Sequence, residues 1–269
     1  MRAVMPMYAA SRIASLDIVD SIDSTNSELL RRETPARGIA ALFAEHQSGG
    51  RGRQGRAWAS PAGSNLYLSV ARCFDGTLAR LGGLSLVAGI AAAEALRALG
   101  AETVRLKWPN DLVAIDGDAL RKLGGVLVEA GLQDGRPRAV VGLGLNLRMP
   151  TTAAVDIDQP WTDLQALLGD TLLGDTLPPR NRVAAVVLAT LAEHLDRFDA
   201  EGLATFVPRF AALDALHGAA VTATIGDRTL AGVAAGIADD GALRLRTDEG
   251  EQLLRAGEVS VRRRPPTQA

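Results

Sequence analysis

Positive charge in this 269-residue chain is carried almost entirely by arginine, with 27 Arg against two lysines, Lys107 and Lys122. The two lysines stand in the short runs KWPND at 107–111 and KLGGVLVE at 122–129. An ammonium is a compact point charge that fits between a carboxylate oxygen and a phosphate, where a wide guanidinium fork does not. The two lysines therefore mark candidate site positions, unless chance alone put them there, and Lys107 could instead face solvent or brace the neighbouring loop.

A glycine- and arginine-rich run, GGRGRQGR at 49–56, carries the strongest chemical signal. Glycines let backbone N–H groups approach an anion closely, and arginines supply planar donor forks for carboxylate and phosphate. An RNA-binding arginine-glycine segment or a merely solvated loop would have a similar composition. Because the run is short and lies inside a folded pattern, we favour a loop that binds an anionic ligand.

Amide and carboxylate side chains follow two of the expected strands. Asn110 and Asp111 could bind a hard cation such as Mg²⁺, although Asn-Asp after proline is also common in simple turns. Asn146 ends the run GLGLN at 142–146, where glycines within a strand allow close approach of a ligand. Each run alone could be turn or packing chemistry, but together they predict a nucleotide-activating site.

Composition excludes several classes of protein. A formal net charge of −2 provides no global field for nucleic acid or an anionic membrane. One cysteine, Cys73, cannot form an internal disulfide and fits a reducing cytosol, while three histidines argue against an all-protein zinc site. The apolar window 81–100 contains several glycines, Glu94 and Arg97, so it predicts a buried helix rather than a membrane span.

The elements that must position these residues alternate between helix and strand. Thr25 and Glu28 have the spacing of a capping box, which predicts a helix that ends before Pro35. Further helices are expected at 81–99 and 183–198, and strands at 39–45, 65–71, 104–108, 123–130 and 139–147. This mixture predicts an α/β (α+β) fold with a mixed, largely antiparallel sheet and helices in the core.

The C-terminal part of the chain changes to short strands separated by Gly-Asp turns. Strands are expected at 220–225, 230–237, 243–247, 252–254 and 259–261, which predicts a small β-barrel docked on the larger domain. The predicted organisation is a tail at 1–15, a core at 16–214, the barrel at 215–264 and a tail at 265–269. The tandem LLGDT repeat at 167–176 predicts a local duplication in a loop or short helical insert.

Four runs in this order, GRGRQGR at 50–56, KWPND, KLGGVLVE and GLGLN, resemble the biotin protein ligase family, over about residues 20–262. The resemblance implies a cytoplasmic enzyme that uses ATP and Mg²⁺ to activate biotin as biotinyl-5′-AMP. It also implies transfer of biotin to a lysine of a biotin carboxyl carrier protein, and an SH3-like barrel at the C-terminus. Family members associate through a sheet edge, so a homodimer is allowed.

The resemblance also implies roles for individual residues. Positions matching those that bind biotin are Ser24, Thr25, Gln47, Gly50, Arg51, Arg53, Lys122 and Gly125. Positions matching those that bind ATP are Arg53, Arg56, Trp58, Asn110, Asp111, Lys122, Asn146 and Arg262. Charge neutralisation would come from Lys122, Arg53 and Mg²⁺, and Asp111 is the candidate both to contact Mg²⁺ and to orient or deprotonate the acceptor amine.

Two departures from the family pattern lead to further expectations. Gln54 stands where some members have another arginine, which weakens the charge of the loop. Only about 20 residues precede Ser24, too few for a winged helix-turn-helix, so we expect a ligase that does not bind operator DNA. The rival interpretations are a lipoate ligase or octanoyltransferase, which share this core but lack KWPND, and a non-catalytic biotin-sensing or RNA-binding module.

Overall fold

The computed structural model describes residues 12–117, 119–153, 157, 159–169, 178–257 and 259–264. The first sheet has seven strands: β1 (Ile13–Ile22), β2 (Ile39–Gln47), β3 (Leu66–Cys73), β4 (Val104–Lys107), β5 (Asp111–Asp116), β6 (Ala119–Gln133) and β7 (Arg136–Leu145). Their order is β1-β2-β3-β7-β6-β5-β4, and only the β1–β2 pair is parallel. The predicted mixed, largely antiparallel sheet is confirmed.

The described helices are α1 (Thr25–Arg31), α2 (Leu84–Ala98), α3 (Leu164–Gly169), α4 (Arg180–Glu201) and α5 (Val207–Leu213). Helices α2 and α4 pack against each other, and α2 also contacts β4, β5 and β6. The segment Leu78–Ala98 is long and apolar enough to cross a membrane, yet 61% of its most apolar window is buried inside the protein. It therefore has the burial expected of a core helix.

The N-terminus of α1 differs in detail from the predicted capping box. Ser24, not Thr25, is the N-cap, and its hydroxyl accepts a hydrogen bond from Ser27 N at 3.4 Å. Thr25 is the first residue of the helix, and its hydroxyl turns towards Gln47 instead. The expected cap position was therefore one residue late, because the threonine side chain takes part in a different polar cluster.

Two strands were missed by the sequence analysis. The tail predicted at 1–15 is wrong at its end, since β1 begins at Ile13. As an edge strand, β1 is mostly exposed and lacks a clear alternation of buried and exposed residues. Strand β5 was missed because Pro109 and Asn110 are typical of the end of a strand. In the structure they form the turn of a β-hairpin in which Lys107 pairs with Asp111.

The C-terminal sheet contains β8 (Ala220–Ile225), β9 (Arg228–Ile237), β10 (Leu243–Thr247), β11 (Gly250–Leu254) and β12 (Val259–Arg263). Its order is β11-β10-β9-β8-β12, and all neighbours are antiparallel. The edge strands β11 and β12 do not pair among the described residues, so the predicted SH3-like barrel is an unclosed sheet. Five-stranded sheets of this size can stay partly open, with the edges left unpaired.

The C-terminal sheet packs against the segment that carries KWPND. Trp108 is fully buried, and its indole Nε1 donates a hydrogen bond to Gly241 O at 2.9 Å. Ala215 N donates to Leu106 O at 2.8 Å, next to the predicted domain boundary between α5 and β8. The two sheets thus share one hydrophobic core. Of the LLGDT repeat, residues 167–169 lie in α3 and the rest lie outside the described residues.

Candidate functional site

A cavity of about 860 Å³ lies where the end of β2, the starts of β5 and β6 and the end of β7 meet strand β12 of the C-terminal sheet. Segments that are far apart in the sequence converge on it. Most of the predicted site residues line it, namely Ser24, Thr25, Gln47, Arg51, Arg53, Arg56, Trp58, Asn110, Asp111, Lys122, Gly125 and Arg262. The fold therefore brings the motifs of the sequence to one place.

Two predicted site residues, Gly50 and Asn146, are absent from this lining. A Cβ at Gly50 would lie 2.9 Å from Ser60 Oγ and 3.2 Å from Gln47 Nε2, so glycine leaves space for those side chains. Asn146 is buried, and its Nδ2 donates to Thr162 O at 3.1 Å and to Lys122 O at 3.5 Å. Asn146 thus braces the backbone of Lys122 from outside the cavity.

Both lysines of the chain contact the same carboxylate. Lys122 Nζ lies 2.8 Å from Asp111 Oδ1, and Lys107 Nζ lies 3.5 Å from Asp111 Oδ2. Burial by itself would raise the pKa of Asp111, but the two ammonium groups outweigh it and hold this pKa below its usual value. Asp111 is therefore an ionised carboxylate fixed between two cations. The contact of Lys107 with Asp111 was not foreseen.

The cavity is strongly cationic although the whole chain has a net charge of −2. Asp111 is the only acidic residue among the described residues that line it. We call its basic side chains the cationic rim: Arg51, Arg53, Arg56, Lys107, Lys122, Arg262 and Arg263. Such a concentration of positive charge in a cleft attracts anionic ligands.

Arg53 is the rim residue that reaches from the loop at 49–56 to the C-terminal sheet. Its guanidinium donates to Asn110 Oδ1 at 3.4 Å, to Val259 O at 3.4 Å and to Gly257 O. Burial lowers the pKa of Arg53, against the opposing effect of the Asp111 charge. These hydrogen-bond partners are neutral, so Arg53 is a half-buried cation that an anion would stabilise.

At the other end of the cavity lies a group of uncharged polar side chains, which we call the polar floor: Ser24, Thr25, Asn26, Gln47 and Ser69. Thr25 N and Oγ1 donate to Gln47 Oε1 at 2.8 and 3.0 Å. Ser69 Oγ lies 2.7 Å from Thr25 Oγ1 and 2.6 Å from Asn26 Oδ1. Asn26 and Ser69 were missed, although Ser69 is a polar residue inside the apolar run LYLSVA, which was an available signal.

Trp58 forms an aromatic wall between the floor and the rim. Its ring packs on Gly144, where a Cβ would lie 2.6 Å from the indole. Lys122 Nζ lies 5.4 Å from the centre of the ring, within the range of a cation–π contact. The buried indole Nε1 has no hydrogen-bond partner among the described residues. The glycine of GLGLN is therefore needed to admit the tryptophan.

The predicted contact of Asp111 with Mg²⁺ does not fit this arrangement. The described residues contain no group of three or more His, Cys, Asp or Glu side chains that could hold a metal. Both oxygens of Asp111 already face ammonium groups, which would repel a divalent cation. Mg²⁺ usually binds one or two carboxylates together with substrate phosphates, so in the described part of the cavity it is the pairing of Asp111 with two lysines, and not the lack of a larger acidic group, that argues against a direct contact.

Comparison with known proteins agrees with this geometry. Residues 18–146 match the biotin/lipoate A/B protein ligase family, and residues 216–262 match the biotin protein ligase C-terminal domain. The chain is 42% identical over 247 residues to the bifunctional ligase/repressor BirA of Salmonella typhimurium, covering 91% of this chain and 73% of that protein. It is 34% identical to the biotin-[acetyl-CoA-carboxylase] ligase of Paracoccus denitrificans, covering 88% and 96%.

Among solved structures, the fold is similar to that of the biotin protein ligase from Aquifex aeolicus in complex with biotin and ATP. The TM-score is 0.76 at 28% identity, and the match covers 93% of this chain and all of that one. The similarity therefore extends over both sheets that enclose the cavity.

Proposed function

Because this chain belongs to the biotin protein ligase family, we infer that its cavity holds the ring of biotin on the polar floor and the phosphates of ATP on the cationic rim, with the biotin carboxylate between them near Arg51 and Lys122. The protein is a ligase that activates biotin with ATP as biotinyl-5′-AMP and transfers it to a lysine of a biotin carboxyl carrier protein. The observation that carries the residue assignment is the convergence of Lys122, Lys107 and Asp111 in one cationic cavity.

In the first step the biotin carboxylate attacks the α-phosphorus of ATP, the P–O bond to the β-phosphate breaks, and pyrophosphate leaves. Two anions must approach each other, so catalysis consists mainly of positioning and charge neutralisation. Lys122 is suited to lie between carboxylate and α-phosphate, while Arg53 and Arg56 neutralise the leaving phosphates. We propose that Mg²⁺ arrives bound to ATP as part of the substrate.

In the second step the acceptor lysine attacks the acyl carbon of the mixed anhydride, an amide forms, and AMP leaves. The incoming amine must be oriented and must lose a proton. Asp111 is the acidic residue of the described cavity lining, so we assign it the role of orienting the acceptor ammonium close to the acyl group and accepting the proton that the amine loses. Lys107, at 3.5 Å the more distant of its two partners, is the one that the acceptor would replace.

The polar floor favours biotin over lipoate as the substrate. The ureido ring of biotin offers both N–H donors and a carbonyl acceptor, and the dithiolane ring of lipoate offers neither. Thr25, Asn26 and Ser69 are each less than 5% exposed, so an apolar ring against them would leave their remaining hydrogen-bonding capacity unused in a buried place. Sites built to hydrogen-bond a ligand reject analogues that lack those groups by large factors.

Two further statements stay predictions. A cytoplasmic location is supported by the free, buried Cys73 and by the need for ATP and a carrier protein. Association of two copies through a sheet edge follows from the resemblance.

Transfer of labelled biotin to a carrier domain tests the function. The purified chain is incubated with ATP, labelled biotin and an apo carrier domain, with a carrier in which the target lysine is replaced by arginine as control. We expect ATP-dependent labelling of the first carrier only. Labelling with lipoate instead of biotin would support the lipoate ligase alternative, and RNA binding without any transfer would support the non-catalytic one.

A further inference from the structure

A continuous polar network runs beneath the cavity, and its two ends lie on either side of the loop at 49–56. On one side, Asn26 Nδ2 donates to Glu129 Oε2 at 2.9 Å, and Glu129 Oε1 lies 4.0 Å from Arg51 Nη2. Asn26 Oδ1 lies 2.6 Å from Ser69 Oγ, which connects this branch to the polar floor. A path of polar contacts thus leads from the floor to the start of the loop.

The second branch leads from the floor to the far side of the same loop. Gln47 Oε1 accepts from Thr25, and Gln47 Nε2 donates to Ser60 Oγ at 3.5 Å. Ser60 Oγ donates in turn to Trp58 O at 3.1 Å. Since Trp58 N also donates to Gly50 O at 2.9 Å, this branch ends where the loop closes on itself.

The direction of the hydrogen bonds makes this network sensitive to what occupies the floor. Thr25 and Ser69 have one hydroxyl hydrogen each, so a ligand that accepts a hydrogen bond from either hydroxyl takes this hydrogen away from its present partner. Hydrogen bonds in a chain polarise one another, and a change in one link alters the strength of the next. A ligand on the floor would therefore change the strength of the contacts at both ends of the loop.

Glu129 is the one member of the first branch that attracts the loop by charge. Its side chain is 32% exposed, and Arg51, whose side chain is 47% exposed, also donates to Ser27 Oγ on α1 at 2.8 Å. Ser27 and Glu129 hold Arg51 at the edge of the rim. A weaker Asn26–Glu129 hydrogen bond would leave more of the carboxylate for Arg51, and a stronger one would leave less.

We propose that Glu129 is a positioning residue that makes the affinity for ATP depend on whether biotin occupies the polar floor. The proposal rests on the proposed function, because it assigns biotin to the floor and the nucleotide to the rim. Glu129 does not line the cavity and acts through Asn26 on one side and Arg51 on the other. Coupling between two sites requires such a shared element, and it acts equally in both directions.

The coupling is measured by titrating wild-type protein with an ATP analogue that has a methylene bridge between the α- and β-phosphates, with and without saturating biotin. The ratio of the two dissociation constants is the coupling factor. In Glu129→Gln, an amide oxygen still accepts from Asn26, but the charge that attracts Arg51 is gone. We expect the coupling factor to fall about fivefold, as for the loss of a partly exposed ion pair, and the Kd for biotin to change less than about twofold.

Two further variants make the result specific. The control variant Glu251→Gln removes a carboxylate from another ion pair, in which Arg244 Nε lies 2.9 Å from Glu251 Oε1. This pair lies on the C-terminal sheet, outside the network. We expect the control variant to leave the coupling factor unchanged. In an Arg51→Met background, Glu129→Gln has no additional effect on the coupling factor, because its partner is already missing.

The outcomes separate this inference from the function on which it rests. An unchanged coupling factor in Glu129→Gln overturns the inference, and so does a loss of biotin affinity as large as the loss of coupling, since Glu129 would then be a part of the floor. Wild-type protein that binds both ligands independently also overturns it while the proposed function stands. Wild-type protein that binds neither ligand overturns both.

Discussion

The polar floor and the cationic rim are adjoining parts of one cavity, but they are built in opposite ways. Floor residues such as Thr25 and Ser69 sit on α1 and β3, are buried and make hydrogen bonds to one another. Rim residues such as Arg53 and Arg56 sit on an irregular loop, and Arg262 comes from the second sheet. The floor is rigid and neutral, whereas the rim is assembled from separate segments and charged.

This difference indicates how the two parts use their binding energy. A preorganised floor selects its ligand by geometry, because each polar group that a wrong ligand fails to satisfy carries a cost. A cationic rim attracts any polyanion. Its specificity comes from whether a compact ammonium or a planar guanidinium contacts the reacting carboxylate and phosphate. Substitutions in the rim should therefore change rates, and substitutions in the floor should change biotin affinity.

The largest effect is expected when the shape of a rim charge changes and its sign does not. In Lys122→Arg the charge stays, but a planar guanidinium fork replaces the compact ammonium that lies 2.8 Å from Asp111 and 5.4 Å from the centre of the Trp58 ring. We expect biotin-dependent ATP–pyrophosphate exchange to fall about 1,000-fold, near the upper range for loss of one transition-state donor. Arg244→Lys on the C-terminal sheet is the matched control. Exchange within tenfold of the wild-type rate would show that charge alone is sufficient at position 122.

A smaller effect, confined to one of the two steps, is expected at the carboxylate of the cavity. In Asp111→Asn, transfer from preformed biotinyl-5′-AMP to the carrier should fall about 100-fold, a typical size for a lost general base. Since Lys122 and Lys107 hold the pKa of Asp111 below its usual value, the carboxylate is ionised throughout the range from about pH 6 to about pH 9. Transfer by the wild-type protein should therefore show no loss of activity from protonation of Asp111 within that range, whereas transfer by the variant should rise with pH as more of the acceptor lysine becomes the free amine. An unchanged rate of transfer would remove this role from Asp111.

A floor substitution should produce the opposite pattern. Thr25→Val keeps the shape of the side chain and removes the hydroxyl, which contacts Gln47 and Ser69 and is assigned to biotin; a lost hydrogen bond to a ligand at such a buried position costs about 2 kcal/mol of binding free energy. We expect the KM for biotin to rise about 30-fold, while the KM for ATP changes less than twofold. Thr190→Val, where the hydroxyl bonds only to its own helix at Val186 O, is the matched control. If both KM values rose together, the two parts of the cavity would not be separable.

The same contrast explains how much of the site could be predicted from the sequence. Rim residues belong to runs of unusual composition, and the glycines and arginines of the loop together with both lysines were recognisable without a structure. Floor residues are ordinary serine, threonine and asparagine side chains. Only their convergence from α1, β2 and β3 distinguishes them, and that convergence depends on contacts between residues such as Asn26 and Ser69 that are distant in the sequence.

The elements of the fold were likewise predicted where the signal is local in the sequence and missed where it depends on distant contacts. Strands with clear turns on both sides, such as β8 and β10, were predicted with their observed ends. The edge strand β1 was missed because its mostly exposed residues do not alternate between apolar and polar. Whether the two edge strands of the C-terminal sheet pair and close a barrel could not be predicted, because such pairing leaves no local pattern in the sequence. The contact between Lys107 and Asp111 likewise depends on the β4–β5 hairpin. This hairpin was not predicted, because the proline and the asparagine at its turn are also typical of the end of a strand.

The smallest expected effect tests the rim as a whole through its response to salt. Screening weakens attraction between charges, and the Debye length falls from about 14 Å at 0.05 M to about 6 Å at 0.3 M monovalent salt. ATP carries several negative charges and would bind to the seven basic side chains of the cationic rim. Biotin carries one negative charge and would bind mainly to the neutral side chains of the polar floor. We expect the KM for ATP to rise about threefold over this range and the KM for biotin to rise much less. A neutral osmolyte at matched osmolarity should affect neither, and an equal rise for both substrates would mean that the floor depends on charge as much as the rim does.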